Sequence, residues 1–309
     1  MTDLTIDDVA FSRLRDKVII ITGGSSGIGL ATVQLLLASG SKVVIGDRNP
    51  PPPELVDDAN LTYLQIDVTN WRDLVALFKK AREIYGSIDH VFANAGISSK
   101  TSFFDDETDE NGDPVEPKYP TLDVNLTSVV NTVKLAIFYL KQQKGGGSIV
   151  LTASASSFQR FSSVDYTTAK HGVLGLMRGL TPHLYPELPI RINAIAPSWT
   201  DTGIVPRALL ELVGVTVQSA HVVALSVALL MCSDGGNSVD SVDRVDSSRH
   251  GQLIYSVAGL YREIEEGMLE AVAGLLSPLS PDGLSENEAL ERVLVAVRTM
   301  KLEKDDVSK

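Results

Sequence analysis

Tyr166 and Lys170 stand four residues apart, close to one helical turn, so on a helix the phenol and the ammonium share a face. A cation beside a phenol favours the phenolate and draws the pKa down from its unperturbed value of about 10. A phenol tuned in this way suits acid/base chemistry on alcohols and ketones. The spacing alone is common on solvated helix faces. It gains weight from a second constellation upstream, where Thr22-Gly23-Gly24-Ser25-Ser26-Gly27-Ile28-Gly29 directly follows an apolar run. Gly23 suits a tight turn, Gly27 lets backbone approach a pyrophosphate, and Gly29 allows close packing of a helix opening near Ile28. That helix N-terminus offers free N–H groups and positive charge to phosphates.

Both constellations need a frame to bring them together. Residues 17–22 form a continuous, largely β-branched run, expected of a strand covered on both faces, and 42–47 read likewise. A helix over 28–39 fits between them, with Gly40 as its stop. Asp47 ends the second strand, where a carboxylate would bind adenosine ribose hydroxyls and repel a 2′-phosphate, which predicts NAD over NADP. Arg48 leaves a second reading open, in which its guanidinium binds the 2′-phosphate. Further strands are expected near 61–67, 89–93, 147–152, 191–196 and 252–257, and helices near 71–85, 121–142, 163–182 and 218–232. This alternation predicts an α/β fold with a doubly wound parallel sheet, helices on both faces and right-handed crossovers.

In this arrangement the sequence resembles the short-chain dehydrogenase/reductase family, from about residue 17 to residue 259. Besides the glycine loop, the likeness rests on Asp67-Val68 after the third strand, Asn94-Ala95-Gly96 after the fourth, Asn125 in the following helix, Ser154 after the fifth strand, and Tyr166 with Lys170. Residues 166–178 and Ala196-Pro197-Ser198-Trp199-Thr200 look most similar to the hydroxyprostaglandin-dehydrogenase-like branch, its fungal members in particular. The resemblance implies a single Rossmann-type domain over 1–309, with a core at 17–259, about seven strands, and a helical extension at 260–309. It implies Tyr166 as acid/base, Lys170 lowering its pKa and binding the nicotinamide ribose, Ser154 positioning the substrate oxygen, and Asn125 holding a proton-relay water. Cofactor contacts are implied for Gly23, Ser25, Ser26, Gly27, Ile28, Gly29, Asp47, Arg48, Ala95, Gly96 and Thr202, for Asp67 and Val68 at the adenine, and for Asn94 along the cleft. Ser154 lies one residue closer to Tyr166 than is usual, which a loop deletion explains, with Ser156 as the alternative. Pro197-Ser198 replaces the common Pro-Gly, and Val257-Ala258-Gly259 lacks paired glycines.

A net charge of −12 argues against nucleic acid and anionic membranes as partners. The acidic run 105–113 lacks the ligand order and terminal Glu of an EF-hand and reads as a solvated loop. Residues 50–53 read as a stiff connector and 233–250 as an exposed loop. The single cysteine, Cys232, rules out an internal disulfide and sits among apolar neighbours as a buried hydrophobe. The five histidines show no metal spacing, and His171 points away from its neighbour Lys170. Residues 1–15 lack the apolar core of a signal peptide, and no apolar run reaches the ~18 residues of a membrane span. A cytoplasmic enzyme without a metal is expected.

Residues 202–215 are apolar for a surface segment, which fits either a lid over a hydrophobic substrate or an amphipathic helix packed on the body. Phe158, Phe161 and Trp199 are expected at the same mouth. The predicted substrate is a lipophilic secondary alcohol or ketone, terpenoid-like, steroid-like or fatty, and the fungal likeness adds secondary metabolism as its setting. An NADPH-dependent ketoreductase would use the same residues; a catalytically silent protein on this fold would not need them intact. The helices near 121–142 and 163–181 carry more apolar positions than one stripe requires, which predicts a homodimer or homotetramer. The extension would cap the mouth, join the subunit contact, or cover the surplus face within one chain.

Overall fold

β-Branched runs form the centre of the sheet, and alternate elements cross over it. The computed structural model describes residues 2–6, 8–204, 207–212, 214–232 and 249–276, with short helical pieces at 288–289, 292–293 and 295–296. The strands in chain order are β1 (Thr2–Leu4), β2 (Val18–Thr22), β3 (Lys42–Asp47), β4 (Leu61–Gln65), β5 (His90–Ala93), β6 (Gly147–Thr152), β7 (Ile190–Pro197), β8 (Thr200–Asp201), β9 (Gln218–Ser219), β10 (Leu253–Val257) and β11 (Leu260–Glu263). Nine of them make one sheet in the order β1-β11-β10-β7-β6-β5-β2-β3-β4, and β8 pairs with β9 separately. Every residue of β2, β5 and β7 is buried, as strands covered on both faces must be.

The seven strands from β10 to β4 run parallel, matching the sequence reading. Two additions correct it. β11 turns back antiparallel beside β10, and β1 pairs antiparallel with β11. Residues 260–263 therefore belong to the sheet, not to a helical extension. Their alternating burial, with Tyr261 and Glu263 in and Leu260 and Arg262 out, is the period-two pattern of a strand. The residues from Ile264 onward form a separate compact unit, in which α8 spans Glu265–Leu276. Most of the expected extension beyond 276, and of the expected loop 233–250, lies outside the described residues.

Helices α1 (Gly27–Ala38), α2 (Trp71–Tyr85), α3 (Pro120–Leu122), α4 (Ser128–Leu140), α5 (Val164–Leu180), α6 (Arg207–Leu212) and α7 (Ala220–Cys232) belong with the sheet to the unit Thr2–Glu263. α1 packs on α7, while α2, α4 and α5 pack side by side. α2 shows why such helices form. Asn70 caps it by accepting from the Arg72 amide at 3.0 Å, Leu74, Leu77, Phe78 and Ala81 bury one stripe, and Gly86 ends it at φ 74°. Each large side chain buried in that stripe contributes roughly 1.5–3 kcal/mol. The chain leaves β2 toward β3 and β4, then returns to β5 on the other side, so the strand order reverses between β2 and β5. A crevice at such a reversal is where open α/β sheets bind ligands.

The single helix expected over 121–142 runs without a gap from Pro120 to Leu140 but widens near its start. A wide π-helical turn, Asp123–Thr127, separates α3 from α4. The extra residue in that turn lets the Asn125 amide face the loop after β5, accepting from the Ile97 amide and donating to its carbonyl, both at 2.8 Å. Between that loop and α3 the chain makes an exposed excursion. Its neck is closed by the Thr101 hydroxyl donating to the Lys118 carbonyl at 2.7 Å, and the Asp109 side chain accepts from the Asn111 and Asp113 amides at its tip.

The apolar surplus of the helices is largely taken up within the chain. Val129, Val133, Leu135, Ala136 and Leu140 of α4 and Val173, Leu174 and Met177 of α5 are buried, which leaves Val130 and Phe138 as exposed apolar side chains of α4. Cys232 is buried, as expected. Among the described residues no helix is long and apolar enough to cross a membrane.

Candidate active site

The carboxyl ends of the parallel strands open into a cleft of about 710 Å³, floored by the glycine loop. Gly23 adopts φ 70°, and a Cβ there would stand 2.8 Å from the Ala95 Cα; one on Gly29 would stand 2.0 Å from the Gly23 carbonyl oxygen. The loop is folded onto its own backbone, and only glycine fits these two positions. Asn94 holds it there, its amide nitrogen donating to the Thr22 and Gly23 carbonyls at 3.1 Å each. Thr22 answers with its hydroxyl, which accepts from the Asn94 and Ala95 amides. Ser26, the N-cap of α1, makes no side-chain cap bond, so the first amides of that helix remain available to a phosphate. Thr202 faces Gly27 across the cleft, 3.1 Å from where a Cβ would be.

Asp47 stands at the end of β3 with one oxygen accepting from the Ser25 amide at 3.0 Å and the other from the Asn49 amide at 3.0 Å. Each oxygen keeps a lone pair for a ribose hydroxyl. Arg48 also lines the cleft, but its guanidinium is paired with Asp67 at 2.6 Å. The hydrogen bond from Thr69, aided by Arg48, holds the Asp67 carboxyl below the usual range. A cleft with a side-chain-free floor, a helix N-terminus and a carboxylate at the end of β3 fits a dinucleotide.

At the other end Tyr166, Ser154 and Lys170 converge. Ser154 follows β6, lines the cleft and opens a short turn in which its hydroxyl accepts from the Ser156 amide at 3.2 Å and also bonds with the Tyr166 side chain. Ser156 is buried away from the cleft, so the position belongs to Ser154. The Ser157 hydroxyl donates to the Lys170 carbonyl at 2.8 Å and joins this turn to α5. Lys170 is buried, with Nζ donating to the Thr152 carbonyl at 2.7 Å and lying 5.6 Å from the Tyr166 ring centroid.

Burial pushes the Tyr166 phenol above its usual 10, opposed by a hydrogen bond with Ser154. Lys170 itself is lowered to about 8 by burial.

Of the residues singled out in the sequence, Gly23, Ser26, Gly27, Ile28, Asp47, Arg48, Asp67, Val68, Asn94, Ala95, Gly96, Ser154, Tyr166, Lys170 and Thr202 line one cleft. Three stand behind it. Ser25 donates its hydroxyl to the Asn49 carbonyl, Gly29 packs under Gly23, and both polar ends of the Asn125 side chain are engaged by Ile97. The family profile of the short chain dehydrogenases matches residues 17–210. The chain is a short-chain dehydrogenase/reductase. It is 45% identical over 298 residues to the short-chain dehydrogenase/reductase ascJ of Acremonium egyptiacum, covering 95% of this chain and 96% of that one. It is 36% identical over 279 residues to prx4 of Penicillium rubens, covering 87% and 83%. Among solved structures, levodione reductase superposes with a TM-score of 0.65 at 26% identity, covering 80% of this chain and 98% of that one. The enzyme is thus an oxidoreductase of CH–OH groups that works with a nicotinamide dinucleotide on a small molecule.

Sequence reading missed Tyr255, Gln159 and Ser99 in the cleft lining and Thr152 as the lysine's partner. Tyr255 is the middle residue of β10, which the sequence placed correctly, so its alternation could have revealed an inward ring. Of the expected mouth aromatics, Phe161 and Trp199 line the cleft and meet at 5.3 Å between ring centroids, while Phe158 is not among its lining residues and packs on Tyr255 at 6.2 Å. In the expected lid, α6 buries Leu210 and exposes Leu212, and Ile204 lines the cleft; residues 205, 206 and 213 lie outside the described residues.

Proposed function

We propose that this enzyme interconverts a secondary alcohol and a ketone on an uncharged lipophilic molecule, with NAD as its dinucleotide. The observation that carries this is the separation of charge along the cleft. Among its described lining residues Asp47, Arg48 and Asp67 cluster at the β3–β4 end, while Lys170 is the one charged group beside Ser154 and Tyr166. Aromatic and small polar side chains supply the remaining wall, and a charged substrate would find no counter-ion there.

Ser154 and Tyr166 both present hydroxyls to one substrate oxygen. Tyr166 gives a proton to that oxygen in reduction and takes it in oxidation, while Ser154 holds the oxygen in line. A bound nicotinamide supplies or accepts the hydride. Asp47 would hold the adenosine ribose, Thr202 and the first turn of α1 the phosphates, and Lys170 the nicotinamide ribose. The pairing of Arg48 with Asp67 supports NAD, because that guanidinium would have to leave a carboxylate to bind a 2′-phosphate. Likeness to fungal relatives supports a place in secondary metabolism, and exposed Val130 and Phe138 support a two-fold assembly through α4.

Fluorescence titration with NAD, NADP and their reduced forms, followed by a screen of hydrophobic alcohols for cofactor reduction, tests the reading. NAD should bind about tenfold or more tighter than NADP, equivalent to roughly 1.4 kcal/mol, with Asp47→Ala narrowing the gap. Tyr166→Phe should keep cofactor affinity and lose ~10²–10⁴ in turnover. Tighter binding of NADP by the unaltered enzyme, or an active Phe variant, would overturn the respective assignment.

A further inference from the structure

We propose that Asp165 is a positioning residue: its carboxylate ties the cleft-lining loop 97–101 to the first turn of α5 and so fixes where Tyr166 stands against that wall. The proposal rests on Tyr166 being the acid/base.

Asp165 is fully buried one residue before Tyr166, although acids in the first turn of a helix ordinarily face solvent. One oxygen accepts from the Ser99 hydroxyl and from the Tyr166 amide at 2.7 Å; the other accepts from the Lys100 and Thr101 amides at 3.0 and 3.2 Å. Among the described residues its partners are all neutral donors. Burial works to raise its pKa, but the bonds from Ser99 and the Lys100 and Thr101 amides outweigh it, so the group stays ionised. The N-cap position is held by Ser163, whose side chain makes no cap bond. Asp165 therefore acts across the gap to the loop rather than as an ordinary cap of its own helix.

Every residue of that loop is pinned by a buried side chain. Asn125 grips Ile97 through both its amide and its carbonyl. Thr121 donates to the Ser98 carbonyl at 3.4 Å and accepts from the Lys100 amide at 3.1 Å. Asp165 takes Ser99, Lys100 and Thr101. Ile97, Ser98 and Ser99 line the cleft that Tyr166 also lines. Of the three gripping side chains only Asp165 belongs to the catalytic helix, so it alone carries the loop's position directly to the tyrosine backbone.

Asp165→Asn keeps the shape but turns an amide donor toward backbone donors, so it should release one side of the grip. The expected result is a kcat about ten- to a hundredfold lower, as small misplacements of reacting groups produce, with cofactor affinity within about threefold. Amide hydrogen exchange should quicken at 98–101 and stay slow in the glycine loop. Wild-type kcat, or unchanged exchange at 98–101, overturns the proposal; so does an equal loss of cofactor affinity and kcat, which would mean general collapse. If the Asn variant does not fold, Ser99→Ala removes the loop's hydroxyl without touching α5, and a wild-type kcat with unchanged exchange in that variant overturns the proposal equally. Absence of alcohol turnover in the unaltered enzyme would instead count against the catalytic reading, while the exchange measurement still judges the grip.

Discussion

A buried ammonium whose one hydrogen-bond partner is a carbonyl, as Lys170 is with Thr152, pays for its place in stability. Its pKa falls from 10.5 to about 8 on folding. The unfolded chain binds the proton more tightly, so the penalty is complete below pH 8 and fades as pH rises toward 10.5. It amounts to at most about 3 kcal/mol. Replacing Lys170 by Met removes this dependence but leaves the Thr152 carbonyl unpartnered at every pH. Denaturant melts near pH 7 and pH 10 should show the stability of the unaltered protein gaining on the Met variant by up to about 3 kcal/mol as pH rises. A gap that does not move with pH would mean that the ammonium is solvated. At this scale the sequence was informative about residue types and blind to aim. The Tyr166/Lys170 pair and the Asp47 carboxylate could be read from spacing. That the ammonium turns to Thr152, and that Asp165 turns inward, depends on strand ends and loops more than ten residues away.

The elements were legible where one periodicity ran unbroken. β2 and β3 declared themselves as β-branched runs, and α1 follows its glycines as expected. The π-helical turn Asp123–Thr127 was not legible, because its residues suit a helix of either width, and what selects the wider one is the bond between Asn125 and Ile97. The glycine loop gives the sharpest test at this scale. Gly29→Ala would drive a Cβ to 2.0 Å from the Gly23 oxygen, a backbone atom held by Asn94. We expect loss of dinucleotide binding and a stability cost of about 3 kcal/mol or more, read by titration and by the melting midpoint. Normal binding by that variant would show that the loop has slack the geometry does not suggest.

For the whole molecule, the sequence reading found the seven parallel strands and missed the antiparallel edge, since β1 and β11 are short and β1 pairs with a strand at the far end of the chain. The assembly expected from apolar surplus now rests on a smaller face, with Val130 and Phe138 left exposed on α4. Light scattering at micromolar concentration should give the mass of at least two chains, and Val130→Asp combined with Phe138→Asp should reduce it. A monomeric mass for the unaltered protein would reject assembly through this face. The excursion closed by Thr101 and Lys118 bears on change at a longer timescale. Its two ends are fastened to each other, and the grips of Asn125 and Asp165 lie on the catalytic side of that fastening. A change of length or composition beyond the neck therefore leaves the loop 97–101 and the side chains that grip it in place.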